Sequence, residues 1–261
     1  MPNVDRHAPG TFCWIELATS DQNAAHNFYK SVFGWEVNQF PMGPGDMYTI
    51  FRLQGRDVAA GYTLRPDQKG VPPHWMIYIA VESADKTAAR IPQLGGKVFM
   101  PPFDVMDAGR MAVCSDPQGA MFCIWQANKN QGIGLTAVDG TLCWADLITT
   151  SQSAGAKFYS DLFGWKVEFG DEDPAHGYMH IKAGEEFIGG VPPEKFMPPG
   201  VPPHWMLYIY VADCDAYFKK ATDAGGRSHM APTTMEGVGR FAIVADPQGA
   251  AFAIFQPLPR K

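Results

Sequence analysis

Between residues 11 and 18 (TFCWIELA) the chain is almost wholly aromatic and apolar, a run of strand length. The period then changes. Phe28, Tyr29, Val32 and Phe33 recur at helical spacing, which predicts a helix over 21–33 with Ser20 as N-cap and Gly34 as C-cap. Extended stretches follow at 35–41, 47–53 and 58–64, separated by Gly, Pro and Asp turns at 42–46 and 54–57. After Pro72-Pro73 the same order restarts, with a strand at 75–81 and an amphipathic helix at 83–94 behind Ser83. Strands at 97–100, 110–115 and 120–126 complete it. Pro92 should break the last turn of that helix because it cannot donate the helical hydrogen bond, whereas the second half of the chain has Thr222 there.

The pattern is duplicated. Gly10 to Trp14 (GTFCW) returns 130 positions later as Gly140 to Trp144 (GTLCW), and Phe28-Tyr29 with Phe33-Gly34-Trp35 returns as Phe158-Tyr159 with Phe163-Gly164-Trp165. GVPPHWM at 70–76 recurs unchanged at 200–206, and Asp116-Pro117-Gln118-Gly119 recurs at 246–249. One offset covers the whole unit, so the chain holds two copies of one domain, 1–132 and 133–261. Each copy is two β-α-β-β-β modules. The Asp-Pro-Gln-Gly segments read as turns, and Pro101-Pro102 and Pro198-Pro199 as loop punctuation.

Composition narrows the class. With 46% hydrophobic and 18% charged residues, the 261-residue chain can bury a core in each copy without metal or disulfide staples. Its formal charge of -6, with no Lys/Arg cluster, argues against a nucleic-acid partner. The start of the chain lacks the basic and apolar runs of a signal peptide, and the apolar stretches are too short to cross a bilayer, so no membrane association and a cytoplasmic location are expected. Five cysteines without CxxC spacing suit reduced thiols.

The FYxxxFGW segment, the Pro-Pro run before the second module and the closing GRxAxxxDPQGAxFxI segment together resemble the vicinal-oxygen-chelate superfamily. Glyoxalase I, extradiol dioxygenases and bleomycin-resistance proteins belong to it, and the tandem glyoxalase-like branch is the most similar in outline. The resemblance covers residues 11–257 and implies an α+β fold. In it, paired modules form a cupped mixed or antiparallel sheet around a small-molecule ligand, with the helices outside. It also implies a divalent metal held from the first and last strands of each module. Matching residue by residue puts Trp14, Met76, Cys123 and the neighbourhood of Ala60 at those positions, and Trp144, Met206, Ala253 and the neighbourhood of Gly190 in the second copy. A lone Cys beside Trp, Met and Ala does not assemble the donors that Zn²⁺, Mn²⁺ or Fe²⁺ requires, so no metal cofactor is expected.

Strand alternation sets what lines the cups instead, because i and i+2 side chains share a face about 6.6 Å apart. Phe12 and Glu16 should lie beside Trp14, and His74 and Tyr78 beside Met76, with Met121, Cys123 and Trp125 on the last strand. The second copy offers Leu142, Trp144 and Asp146, then His204, Met206, Tyr208 and Tyr210, and finally Ala251, Ala253 and Phe255. Such a surface fits a small, partly aromatic ligand, with Trp14, Trp144, Met76, Met206, Tyr78, Tyr208, Cys123 and Trp125 as binding candidates. An aromatic stripe on a strand is equally what plain core looks like.

Glu16 and Asp146 stand at equivalent places in apolar strands and need a partner or water. Arg110 and Arg240 are candidates for an ion pair with them. His74 and His204 are acid/base candidates or, more plainly, capping residues at a strand start. His180 has Ile50 as its counterpart, which confines any chemistry using it to the second copy.

Three functions remain open. One is metal-independent binding, as in bleomycin resistance. Another is a glyoxalase-like lyase or isomerase using Glu16, Asp146, His74 and His204. In the third, one cup has become structural. A monomer and a homodimer are both compatible with the sequence.

Overall fold

The computed structural model of the chain describes residues 3–43, 46–170 and 177–258. Each copy supplies one eight-stranded sheet. The first copy contains β1 (Phe12–Thr19), α1 (Gln22–Phe33), β2 (Glu36–Gly43), β3 (Asp46–Leu53), β4 (Arg56–Thr63), β5 (His74–Ala80), α2 (Ala84–Arg90), β6 (Lys97–Val105), β7 (Gly109–Ser115) and β8 (Met121–Ala127). The second contains β9 (Thr141–Ile148), α3 (Gln152–Phe163), β10 (Lys166–Phe169), β11 (Met179–Ala183), β12 (Glu186–Val191), β13 (His204–Tyr210), α4 (Cys214–Asp223), β14 (Arg227–Met235), β15 (Gly239–Ala245) and β16 (Ala251–Pro257). Strand order is β2-β3-β4-β1-β5-β8-β7-β6, repeated as β10-β11-β12-β9-β13-β16-β15-β14. Adjacent modules therefore share a sheet, with β1 antiparallel to β5 and β9 antiparallel to β13 at the centre.

Local chemistry explains the elements, with adjustments. Asp21, one residue after Ser20, is the N-cap of α1: its backbone is extended and its carboxylate accepts from the Ala24 N–H at 3.0 Å. Ser151 fills the same role for α3. Gly34 closes α1 at φ 72°, the left-handed conformation the C-cap requires. Pro92 ends α2 at Arg90 in favour of a short 3-10 turn, while α4 runs unbroken past Thr222. Pro101-Pro102 lie inside β6 rather than in a loop; β6 is the sheet edge, where a missing N–H costs no ladder bond, and its pairing with β7 shifts there. The turn expected at 42–46 includes residues 44–45, outside the described residues.

The face opposite Glu16 and Asp146 carries the helices, and there the copies interlock. Trp35 donates its indole N–H to the Gly140 carbonyl at 2.8 Å, and Trp165 donates to the Gly10 carbonyl at 2.7 Å. Tyr29 donates to Asp246 Oδ2 at 3.0 Å and accepts from Trp75 Nε1; Tyr159 accepts from Trp205 Nε1. Phe28 packs on Phe252 and Phe122 on Phe158. Asp116 and Asp246 each fold the Asp-Pro-Gln-Gly turn by accepting three backbone N–H bonds on one oxygen. The repeated motifs are thus largely the seam between the copies. Ile133 and Leu135 also pack on the first copy, where the Ile133 N–H bonds the Cys13 carbonyl and the Gly134 N–H the Asp57 carbonyl.

Candidate functional site

At the centre of the free face of the first sheet, Glu16 stands directly opposite Ala60 of β4 and Met76 of β5. Its two carboxylate oxygens are divided between two phenols: Tyr48 donates to Oε1 at 2.6 Å and Tyr78 to Oε2 at 2.7 Å. The second copy repeats the arrangement. Asp146, opposite Gly190 and Met206 and only 5% exposed, accepts from Tyr178 on Oδ1 at 2.5 Å and from Tyr208 on Oδ2 at 2.9 Å. Trp144 Nε1 adds a third donor to Oδ1 at 3.0 Å. Burial pushes both carboxyl groups above the ordinary carboxylate range, and the phenol hydrogen bonds pull back against it. Burial also drives all four tyrosines well above their usual range, with the neighbouring carboxylates adding to the shift, so they remain donors.

Arg110 and Arg240 do not partner these carboxylates. Arg110 pairs with Asp85 of the first turn of α2 and with Asp104, and Arg240 with Asp215 of α4, on the helix side of the sheet. Phe12 is also on that side. A bulge between Phe12 and Trp14 breaks the alternation, and Phe12 packs edge-on against Trp165 and Trp205 at 5.7 and 5.4 Å. The bulge recurs between Leu142 and Trp144.

The other candidates gather around the carboxylates. Trp14 and Tyr78 are paired across β1 and β5, and Tyr78 stands beside Cys123 of β8. Trp125 meets Tyr78 edge-on at 6.4 Å. Tyr208 pairs with Trp144 and, on its other side, with Ala253. His74 and His204 begin β5 and β13 opposite Ala18 and Ile148, and each Nδ1 bonds a proline carbonyl, Pro72 at 2.8 Å and Pro202 at 2.9 Å. Those bonds are the strand-start capping arrangement; among the described residues neither imidazole bonds a carboxylate. Tyr48 and Tyr178 were outside the sequence candidates. The signal for them was the repeat itself, since they are the same residue at the same offset of 130.

The donor set does not fit the metal centre that the resemblance implies. Among the described residues, no three His, Cys, Asp or Glu side chains converge. Glu16 and Asp146 spend both oxygens on phenols, and Cys123, whose thiol burial raises well above its usual range, stands beside Tyr78 and Val113 rather than beside further donors. A depression of about 320 Å³ lined by Asp21, Gln22, Gln39, Met47 and Thr63 opens beside the start of α1, away from both carboxylates.

The family model described as Glyoxalase/Bleomycin resistance protein/Dioxygenase superfamily matches this chain twice, over residues 11–124 and 141–254. The protein of Mycobacterium bovis named "Putative glyoxylase CFP32" is 40% identical over 265 residues, covering 100% of both chains. The "Anthracycline biosynthesis protein DnrV" of Streptomyces peucetius is 33% identical over 266 residues, covering 97% of this chain and 95% of its own. Among solved structures, the Mn(II)-bound glyoxalase from Novosphingobium aromaticivorans superposes with a TM-score of 0.64 at 15% identity, covering 99% of this chain and 84% of that one.

Proposed function

The chain belongs to the Glyoxalase/Bleomycin resistance protein/Dioxygenase superfamily, and from that premise we propose that it binds a small, partly aromatic molecule against the free sheet faces, using a phenol-clamped carboxylate where relatives use a metal ion. The observation that carries this reading is that Glu16 and Asp146 have each committed both oxygens to tyrosine hydroxyls beside an indole. An aromatic guest stacks on Trp14 or Trp144 and is oriented by the few polar groups around it. The name of the Streptomyces relative adds support, because anthracyclines contain fused aromatic rings. Each cup is built from one copy alone, so a single chain carries both. Five free thiols, four of them buried, suit a reducing cytoplasm.

Titrating the purified chain with a panel of planar aromatic molecules, following tryptophan fluorescence before and after exhaustive chelation, tests this. Saturable binding that survives chelation supports it. Loss of binding with the removal of a stoichiometric transition ion refutes it.

A second reading rests on the raised carboxyl ranges. A carboxyl group that titrates closer to neutrality is better matched to proton exchange, as a lyase or isomerase needs. Glu16→Gln and Asp146→Asn then abolish turnover of an aldehyde-derived substrate; unchanged rates remove the carboxylates from catalysis.

A further inference from the structure

One edge of the first sheet carries apolar side chains that the fold does not need. In β6, Val98 and Val105 pack on the core, but Phe99, Met100 and Phe103 of the same strand stand 58%, 46% and 36% exposed, and Met106 in the turn that follows is 87% exposed. Single exposed apolar residues are ordinary, whereas four on one strand and its turn form a patch. Together they present on the order of 400 Å² of apolar surface, a size that marks an interaction site. The second copy supplies the comparison within the same chain. There β14 holds the equivalent edge of its own sheet, and the equivalent residues are His229, Met230, Thr233 and Glu236. Only the methionine at 230 is kept, so the strand takes its place at the edge without the others.

Charge changes with them. Lys97 begins β6 and is exposed, and Asp104 stands near the other end, holding Arg110 at 2.9 Å while its side chain remains 69% exposed. In β14 the basic start is kept as Arg227, but Asp104 gives way to Thr234. The acidic end and the apolar middle are lost together. Such a pattern is complementary to itself. When two β6 edges run antiparallel about a two-fold axis, apolar stretch meets apolar stretch and each Lys97 end meets the partner's Asp104 end. Parallel edges would set like charges side by side. Pro101 and Pro102, at the middle of the strand, have no N–H to donate, so a continuous ladder cannot form and the contact is one of side chains. The opposite edge, β2, also exposes Phe40 and Met42, but Glu36 is its only charged residue and it offers no cation in answer.

We propose that β6 is the two-fold interface of a homodimer, in which Phe99, Met100, Phe103 and Met106 pack against the same stretch of a second copy of the chain and Lys97 pairs with the partner's Asp104. The patch is about half of the roughly 800 Å² that each partner gives to a standard interface, which sets the dissociation constant in the micromolar range. This assignment does not depend on what the cups bind.

Sedimentation equilibrium of the full chain across the micromolar range is the test. Expected is a reversible monomer–dimer equilibrium, weakened by more than about tenfold when Phe99→His and Phe103→Thr are combined, since these are the residues β14 already carries, and unchanged by Phe40→Thr on the opposite edge. Lys97→Glu should weaken the dimer severalfold, and adding Asp104→Lys to the same chain should restore it, because both partners then carry reversed ends. Thermal melts confirm that each variant is folded. A wild-type monomer at every concentration would overturn the assignment and leave the edge to a different partner. A dimer indifferent to the Phe99 and Phe103 changes, an equal loss on Phe40→Thr, or a charge reversal that recovers nothing would overturn it as well.

Discussion

Tyr178 reaches Asp146 by lying across Gly190: its hydroxyl occupies the space that a Cβ on Gly190 would need, so closely that the two could not coexist. In the first copy Tyr48 reaches Glu16 over Ala60, whose methyl group is tolerated because the glutamate is one methylene longer and meets the phenol farther from the strand. Carboxylate length and the residue on the neighbouring strand are therefore matched, Glu with Ala and Asp with Gly.

This matching predicts a non-additive pair. Gly190→Ala alone should expel Tyr178, leave Asp146 short of a donor and destabilise the chain by about 1–3 kcal/mol. Adding Asp146→Glu should recover a substantial part of the loss. A double-mutant cycle in denaturant measures this, and simple additivity would refute it.

The pH dependence has a definite sign. Burial raises Asp146 in the folded state, so between the ordinary carboxylate range and the folded value the native chain holds the extra proton. Its stabilising contribution is complete below the unfolded value and is lost as pH rises through the folded one. Asp146→Asn has no proton to lose there. The stability difference between wild type and this variant should drift against wild type as pH climbs through that window, as read from unfolding midpoints at stepped pH.

Tyr29→Phe deletes one hydroxyl from the seam and strands two partners, Asp246 Oδ2 and Trp75 Nε1. A cost of about 1–3 kcal/mol is expected, with unfolding still a single transition, because the Trp35 and Trp165 bonds also join the copies. Two separated transitions in wild-type protein would show that the halves are independent.

Cys123 is 1% exposed and its thiol is held protonated by burial beside Glu16. Native protein should leave it unmodified by a thiol reagent over a time in which denatured protein reacts fully, and added Co²⁺ should produce no thiolate charge-transfer band. Rapid native labelling at Cys123 would contradict the buried-thiol assignment.

Much of this architecture could be read directly from the residues. The switch from period two to period 3.6 and back locates β1, α1 and the strands after them, and Pro92 marks where α2 stops. What escaped depended on pairing between distant strands. Phe12 faces the helices because a bulge shifts the alternation, and local pattern does not show a bulge. Tyr48 and Tyr178 come to the carboxylates from β3 and the approach to β11, two strands away, so their role appears only once register is known. Arg110 and Arg240 belong to salt bridges with the starts of α2 and α4, a connection made by which face of β7 and β15 they occupy.

The reciprocal tethers, Trp35 to Gly140 and Trp165 to Gly10, bind each half to the backbone of the other. A change on one side of that junction must be answered on the far side, whereas the faces around Glu16 and Asp146 each belong to one copy alone. Duplication of this kind leaves a shared spine and two surfaces at liberty to specialise separately.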